Sequence, residues 1–443
     1  MPLAIARRMD RRPVATGALL AIVAFVFFGV QLHRTRPFVD EWAYFAQSYY
    51  LDLFLDGPSD ARQWLEYPAI DLPPLPKYLI GFALRAIQQE RPGPAASWAW
   101  YQDTSRSFAS EQVLNAARWP SVVLGAIGVF AIFLLGRQVG GVAVGLLAGL
   151  FLMLGPLYSL HARRAMADVP TEALVLCAAV AALAAWSRTI AGKGGALVWA
   201  LFVSAGVFAG LAVEAKLSGA LALIVIGVWT TLGCFLPGVT MLRRLMLFGG
   251  LLITSMIAFA VFVALNPTLT VHPKGPLPAE MRELEAKSIV GRALEVAAFR
   301  SGVSDQARQQ FPHNALNDPL ERVKVVIVQG LGRHGPFGPS ENDSRVRYDW
   351  RQDGGALVWG PLVFLGYAFA FICGLKEQSK GVPPLGWALC LMGLTTFGVV
   401  AWFIPLAWDR YLLPIQASNA VLASLGLVWG LRSLRSRFAG APS

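Results

Sequence analysis

The sequence predicts an all-α, polytopic membrane protein of about ten transmembrane helices, and three observations carry that prediction. Charged residues are 15% of the 443, where soluble domains hold about 25%. The apolar set reaches 55% and the mean hydropathy is +0.52. Apolar runs of about 20 residues recur along most of the chain, each long enough to cross roughly 30 Å of hydrocarbon. A soluble enzyme, a nucleic-acid binder and a disordered scaffold are excluded as descriptions of the whole chain. The net charge of +11 fits basic residues that orient spans better than it fits a nucleic-acid partner. The four cysteines (Cys177, Cys234, Cys373, Cys390) fall inside apolar runs without C-x-x-C spacing, so they read as small core residues.

Taken in order, the first run covers 14–32, behind Arg7, Arg8, Arg11 and Arg12. It is long for a signal peptide and no A-x-A-like site follows it, so it reads as a retained span with a cytoplasmic N-terminus. Further spans are expected at 119–136, 142–158, 170–186, 196–213, 217–236, 246–265, 356–375, 385–405 and 412–431. The stretch 195–236 must hold two helices, since one would be about 60 Å long. Glu214 and Lys216 mark its turn. The run Pro73-Pro74-Leu75-Pro76-Lys77 to Leu84 is too short for an ordinary span. If it does not cross, short inside loops hold 14 basic residues against 4 outside; if it crosses, the balance becomes 8 against 10. The positive-inside rule therefore lays it along the outer face. Two long regions, 33–117 and 266–355, remain outside; 279–299 has helical character and 333–355 reads as a loop.

Charged residues gather at the outer ends of helices: Asp40 and Glu41, then Arg163, Arg164 and Asp168, then Glu214 and Lys216, then Asp409 and Arg410. Each would cost about 2.5–3.5 kcal/mol at mid-bilayer, so they belong at the interface or along a wet cavity. Charges also simply mark loop ends. Carboxylates and cations together on one face, however, suit a phosphate site with an acid/base group beside it. Asp40 and Glu41, about 100° apart on a helix, cannot act as a facing pair.

Five patches in order resemble the GT-C-type membrane glycosyltransferases, most closely the protein O-mannosyltransferase and aminoarabinose-transferase group (glycosyltransferase family 39-like). They are Phe38-Val39-Asp40-Glu41; Leu72-Pro73-Pro74-Leu75-Pro76-Lys77; Arg118 with Gly125; Arg163-Arg164-Ala165-Met166-Ala167-Asp168; and Gly210-Leu211-Ala212-Val213-Glu214-Ala215-Lys216-Leu217-Ser218-Gly219. The resemblance implies a catalytic transmembrane module over 1–240 and a variable one over 241–443. It implies transfer of a hexosyl or pentosyl group, with inversion, from a polyprenyl-phosphate-linked donor to an acceptor glycan, lipid or protein at the outer (periplasmic) face of the inner membrane. Asp40 would be the base, with Glu41 and Asp168 as the other carboxylates. Lys77, Arg163 or Arg164, and Lys216 would hold the donor phosphate, joined by Arg410 from a looser match at Trp408-Asp409-Arg410-Tyr411. The resemblance also makes the Pro-Pro-Leu segment a juxtamembrane helix. Leu72 departs from the family's pattern, which has His or Lys before Pro-Pro-Leu, and Tyr44 stands where the mannosyltransferases tend to have His; Tyr44 and His161 are candidates for the substrate pocket. The large soluble insert of the O-mannosyltransferases has no room in 266–355.

His33, His161 and His272 near the outer boundary read as interfacial histidines rather than a metal site; a divalent cation stays an open alternative. Trp42, Trp64, Trp98, Trp100 and Trp402 fit an interfacial belt better than sugar stacking. Asn342-Asp343-Ser344 has a glycosylation-acceptor pattern that has meaning only in a secreting eukaryotic host. The competing readings are a flippase or small-solute transporter, expected to carry matching halves and midplane charges, and an inactive relative that scaffolds an envelope complex.

Overall fold

The computed structural model describes residues 13–57, 61–331 and 356–439. The N-terminal arginines, the 333–355 loop and Asn342-Asp343-Ser344 lie outside the described residues. The chain opens with α1 (Pro13–Val30). Five short helices fill the first long loop: α2 (Val39–Ala46), α3 (Tyr50–Leu55), α4 (Tyr67–Asp71), α5 (Pro74–Ala86) and α6 (Pro94–Gln102). The bundle continues with α7 (Glu111–Gly140), α8 (Val142–Leu154), α9 (Pro156–His161), α10 (Asp168–Ile190), α11 (Ala196–Ala215), α12 (Leu221–Phe235) and α13 (Met241–Leu265). The second long loop carries α14 (Ala279–Glu285), α15 (Ile289–Gln310) and α16 (Pro319–Leu331). Helices α17 (Ala356–Ser379), α18 (Leu385–Phe403) and α19 (Leu413–Ala439) complete the described chain.

Each expected span corresponds to a helix, with two changes of boundary. Among the described residues, eight helices are long and apolar enough to cross a membrane. Val14–Val30 and Val142–Leu154 are shorter apolar helices. The run expected at 142–158 breaks at Gly155, because Pro156 has no N–H to continue the ladder and starts α9 instead. Helix α7 begins eight residues before the expected 119, and its added turns bury Leu114, Ala117 and Arg118. Helix α5 has 13 residues, about 20 Å at 1.5 Å each, and is not among the helices long and apolar enough to cross. It packs against α3, α7 and α11. The stretch 195–236 is two helices, joined at Lys216 by an extended residue and a 3-10 turn over Leu217–Ala220.

One apolar core runs through the bundle, from Leu20 and Phe28 on α1 through Phe133, Trp186, Phe202 and Trp229 to Leu389 and Leu422. Where helices approach closely, small residues sit between them. A Cβ on Gly210 would lie 2.6 Å from the Ala258 carbonyl oxygen, so only glycine lets α11 meet α13 there. The outward stripe of α13 (Leu245, Phe248, Leu252, Met256, Phe259) is exposed and apolar. That surface suits lipid tails, as expected of an integral membrane protein. The second long loop is tied back to the bundle by an isolated antiparallel bridge, Ala315 to Leu406. There the Leu316 N–H donates to Pro405 O (3.0 Å) and the Ala407 N–H to Asn314 O (2.8 Å).

Candidate active site

Helix α2 starts at Val39, and its third residue, Glu41, turns back to accept the Phe38 N–H at 2.9 Å. The same carboxylate accepts Arg118 Nε (2.7 Å) and Nη2 (2.8 Å) from α7, and the Ala165 N–H (2.8 Å) from the loop before α10. Both charged side chains are fully buried. Arg118 Nη1 also donates to Thr35 O (2.9 Å) and Asn115 Oδ1 (2.8 Å). Glu41 is thus saturated by donors from three segments, and no lone pair faces open space. It locks the start of α2 in place. Asp40, rotated about 100° around the helix, points the other way, where Arg410 Nη1 donates to its Oδ2.

Asp168 opens α10, and Lys216 Nζ donates to its Oδ1 at 2.7 Å. Lys216 reaches it because the α11–α12 turn folds back tightly: a Cβ on Gly219 would overlap the Ala212 backbone. Arg410 comes from the 3-10 turn Asp409–Leu412 that leads into α19. Its guanidinium lies over the rings of Trp408 (4.8 Å) and Tyr411 (5.7 Å), and Lys216 Nζ lies 5.5 Å from the Tyr411 ring. Phe311 packs edge-on against Trp408, so the second long loop helps to aim Arg410. Asp168, Lys216 and Arg410 border one cleft, partly open to the surroundings. Asp168, Thr171, Glu172 and Val175 form one wall, Lys216, Ser218 and Leu221 the second, and Arg410, Leu413 and Pro414 the third.

The other expected residues divide. Tyr44 is buried beside the site, and its hydroxyl pKa is pushed up by burial and by the nearby charges of Asp168 and Asp40. Arg164 stacks on Phe38 at 4.1 Å and has Glu41, Asp409, Asp168 and Asp40 as its electrostatic neighbours. Arg163 turns away, donating to Ser159 O (2.8 Å) and Gln31 Oε1 (2.9 Å). Of the two arginines it is Arg164 that faces the carboxylates. His161 is 1% exposed and lies 3.4 Å from Asp409 Oδ1. Lys77 is not brought to the cleft. Its Nζ donates to Pro68 O at 2.8 Å and sits over the Tyr50 ring at 4.3 Å. A fully desolvated ammonium takes the nearest carbonyl and aromatic face, and burial pushes Lys77 down to about 7.

Sequence reasoning passed over Glu172, which stands inside an expected span. The signal was there: a carboxylate four residues after Asp168 shares its helix face. Arg118 was noted as part of a motif, but its buried partner was not foreseen. Nor was Arg300 of α15, whose ion pair with Asp71 (2.5 Å) joins the two long loops beside Tyr101, itself a donor to Asp71 Oδ2 (2.7 Å). The three histidines are not gathered: His33 and His272 are exposed and His161 is buried. Among the described residues no three metal-ligating side chains are assembled. Asp40 and Asp168 each hold a cationic side chain, Arg410 and Lys216.

No family model and no curated protein matches the sequence. Solved structures do resemble it. The oligosaccharyltransferase of Archaeoglobus fulgidus in its apo form superposes with a TM-score of 0.53 at 13% identity, over 96% of this chain and 52% of that one. Its complex with zinc and sulfate gives 0.53 at 16%, over 95% and 50%. ArnT from Cupriavidus metallidurans bound to undecaprenyl phosphate gives 0.53 at 15%, over 95% and 63%. This chain therefore spans about half to five-eighths of the length of these proteins. At such identities the likeness shows the fold alone: this chain shares the helical membrane architecture of these proteins.

Proposed function

We propose that this protein is an integral-membrane glycosyltransferase that moves a sugar from a polyprenyl-phosphate-linked donor to an acceptor hydroxyl. The observation that carries this reading is that Asp168, Lys216 and Arg410 line one cleft, with Lys216 paired to Asp168 and Arg410 paired to Asp40 behind it. Four separate segments supply them. A phosphate ester entering between Arg410 and Lys216 competes with the carboxylates for the same donors. Once the phosphate takes Arg410, Asp40 is freed to accept the proton of the acceptor hydroxyl. The acceptor oxygen then bonds to the anomeric carbon while the bond from that carbon to the phosphate oxygen breaks. The electron pair leaves on the lipid phosphate, where Arg410 and Lys216 hold the developing charge. Attack opposite the leaving group inverts the anomeric configuration. The known ligand of a structural neighbour, undecaprenyl phosphate in ArnT, is in keeping with this donor class.

Topology supports placing the cleft on the outer face of the inner membrane, with the N-terminus inside. Asp168 opens α10 at the cleft, whereas Arg188 lies in its last turn. Arg137 in the last turn of α7, Arg243 and Arg244 in the first turn of α13, and Lys376 in the last turn of α17 share that far end. The test uses protein in lipid nanodiscs with a panel of polyprenyl-phosphate sugars, detecting release of free polyprenyl phosphate. Release by the wild type and not by Asp40→Asn is the expected result. Failure to bind polyprenyl phosphate at all would overturn the reading.

A further inference from the structure

One buried carboxyl at the cleft has no role in the transfer described above. Glu172 is 4% exposed and lines the cleft wall, yet no hydrogen bond or ion pair among the described residues reaches it. It lies one turn below Asp168, about 6 Å along the helix axis, on the face that also carries Thr171 and Val175. Leu221, Leu413 and Pro414 close the cleft around it. An acidic side chain left without a partner inside a transmembrane helix is costly, and a polar ligand that donates to it removes the cost. The charge layout fixes which part of the ligand that is. Lys216 and Arg410 stand with Asp168 and Asp40, while Glu172 has no cation of its own. A phosphate is drawn to the two cations and kept from an acidic group that has none. Of the two uncharged parts of the donor, the prenyl chain has no hydrogen to donate, so the hydroxyl-bearing sugar is the part that suits the Glu172 end.

We propose that Glu172 is a specificity-determining residue that accepts hydrogen bonds from the hydroxyl groups of the donor sugar, seated one helical turn below the phosphate subsite. Thr171 stands beside it with its hydroxyl donated to Ala167 O at 2.8 Å, which leaves lone pairs for a further sugar hydroxyl. This inference rests on the lipid-linked donor reading, and the experiment separates the two. Binding of undecaprenyl phosphate, and of its glucosyl, mannosyl and deoxyglycosyl derivatives, is measured for the wild type, Glu172→Gln and Glu172→Leu. The expected result is that Glu172→Leu weakens binding of the best glycosylated lipid about ten- to a hundredfold and leaves undecaprenyl phosphate within about twofold. Glu172→Gln recovers part of the loss. The wild type discriminates against one deoxy analogue and Glu172→Leu does not, since a site built to pair a hydroxyl rejects the analogue that lacks it. Leucine suits the apolar surroundings, so the thermal midpoint is expected to hold. Equal losses for sugar-free and glycosylated lipid, or no loss for either, would overturn the proposal while leaving the donor reading intact. A wild type that binds neither lipid removes both.

Discussion

Glu41 receives four hydrogen bonds from three segments and meets no solvent, whereas Asp40, one residue earlier, is partly exposed and holds a single guanidinium, that of the cleft-lining Arg410. Their side chains differ by one methylene. What separates them is the number of donors already committed. A carboxylate saturated by Arg118, Ala165 and Phe38 has nothing left to offer a substrate, and its loss leaves a buried arginine unpaired. A carboxylate with one exchangeable partner can trade it for a ligand. The same contrast divides the cations. Arg163 and Lys77 are spent on Ser159, Gln31 and Pro68, while Lys216 and Arg410 border empty space. Full pairing with other parts of the chain marks the framework of this site, and a single exchangeable partner beside the cleft marks its working groups.

Substitutions can break that contrast. The largest effect is expected from Asp40→Asn, with transfer reduced about a hundred- to ten-thousandfold and the thermal midpoint nearly unchanged, measured by polyprenyl-phosphate release and melting in nanodiscs. Arg118→Met is expected to do the reverse. It strands Glu41 in the interior and destabilises the fold by about 3–5 kcal/mol, read as a loss of folded protein. Adding Glu41→Gln should recover part of that, because the amide is neutral and its one oxygen still accepts either the Phe38 or the Ala165 N–H. Equal loss of activity with unchanged stability in both variants would erase the distinction drawn between Asp40 and Glu41.

Smaller effects sharpen it. Lys216→Ala should weaken polyprenyl-phosphate binding about tenfold, seen by titration, whereas Lys77→Met should leave it within about twofold. Lys77 carries a separate signature in stability. Its pKa falls from 10.5 to about 7 on folding, so between those values the unfolded chain binds more protons. Stability then rises with pH across that window by up to about 1.4 kcal/mol per unit. Lys77→Met should remove that contribution from the pH dependence of the melting temperature. If the slope persists in the variant, another group supplies it.

The helices were legible because membrane insertion depends on local composition. Twenty apolar residues report their own transfer free energy without reference to the rest of the chain, and the shortness of α5 could be read the same way. Gly155-Pro156 broke one expected span for an equally local reason, and only its place inside an apolar run hid it. The residue types of the site were legible too, since Asp40, Asp168, Lys216 and Arg410 stand where charge interrupts apolarity. Their partners were not. Asp40 and Arg410 are 370 residues apart, and which carboxylate meets which cation is a through-space distance that spacing along the chain does not encode. The tertiary structure alone turned Lys77 and Arg163 away, enclosed Glu41 with Arg118, and left Glu172 facing a cleft. Sequence determined what must enter the membrane and which groups could carry charge at its edge. Packing decided which of those groups were used up holding the protein together and which were left to meet a ligand.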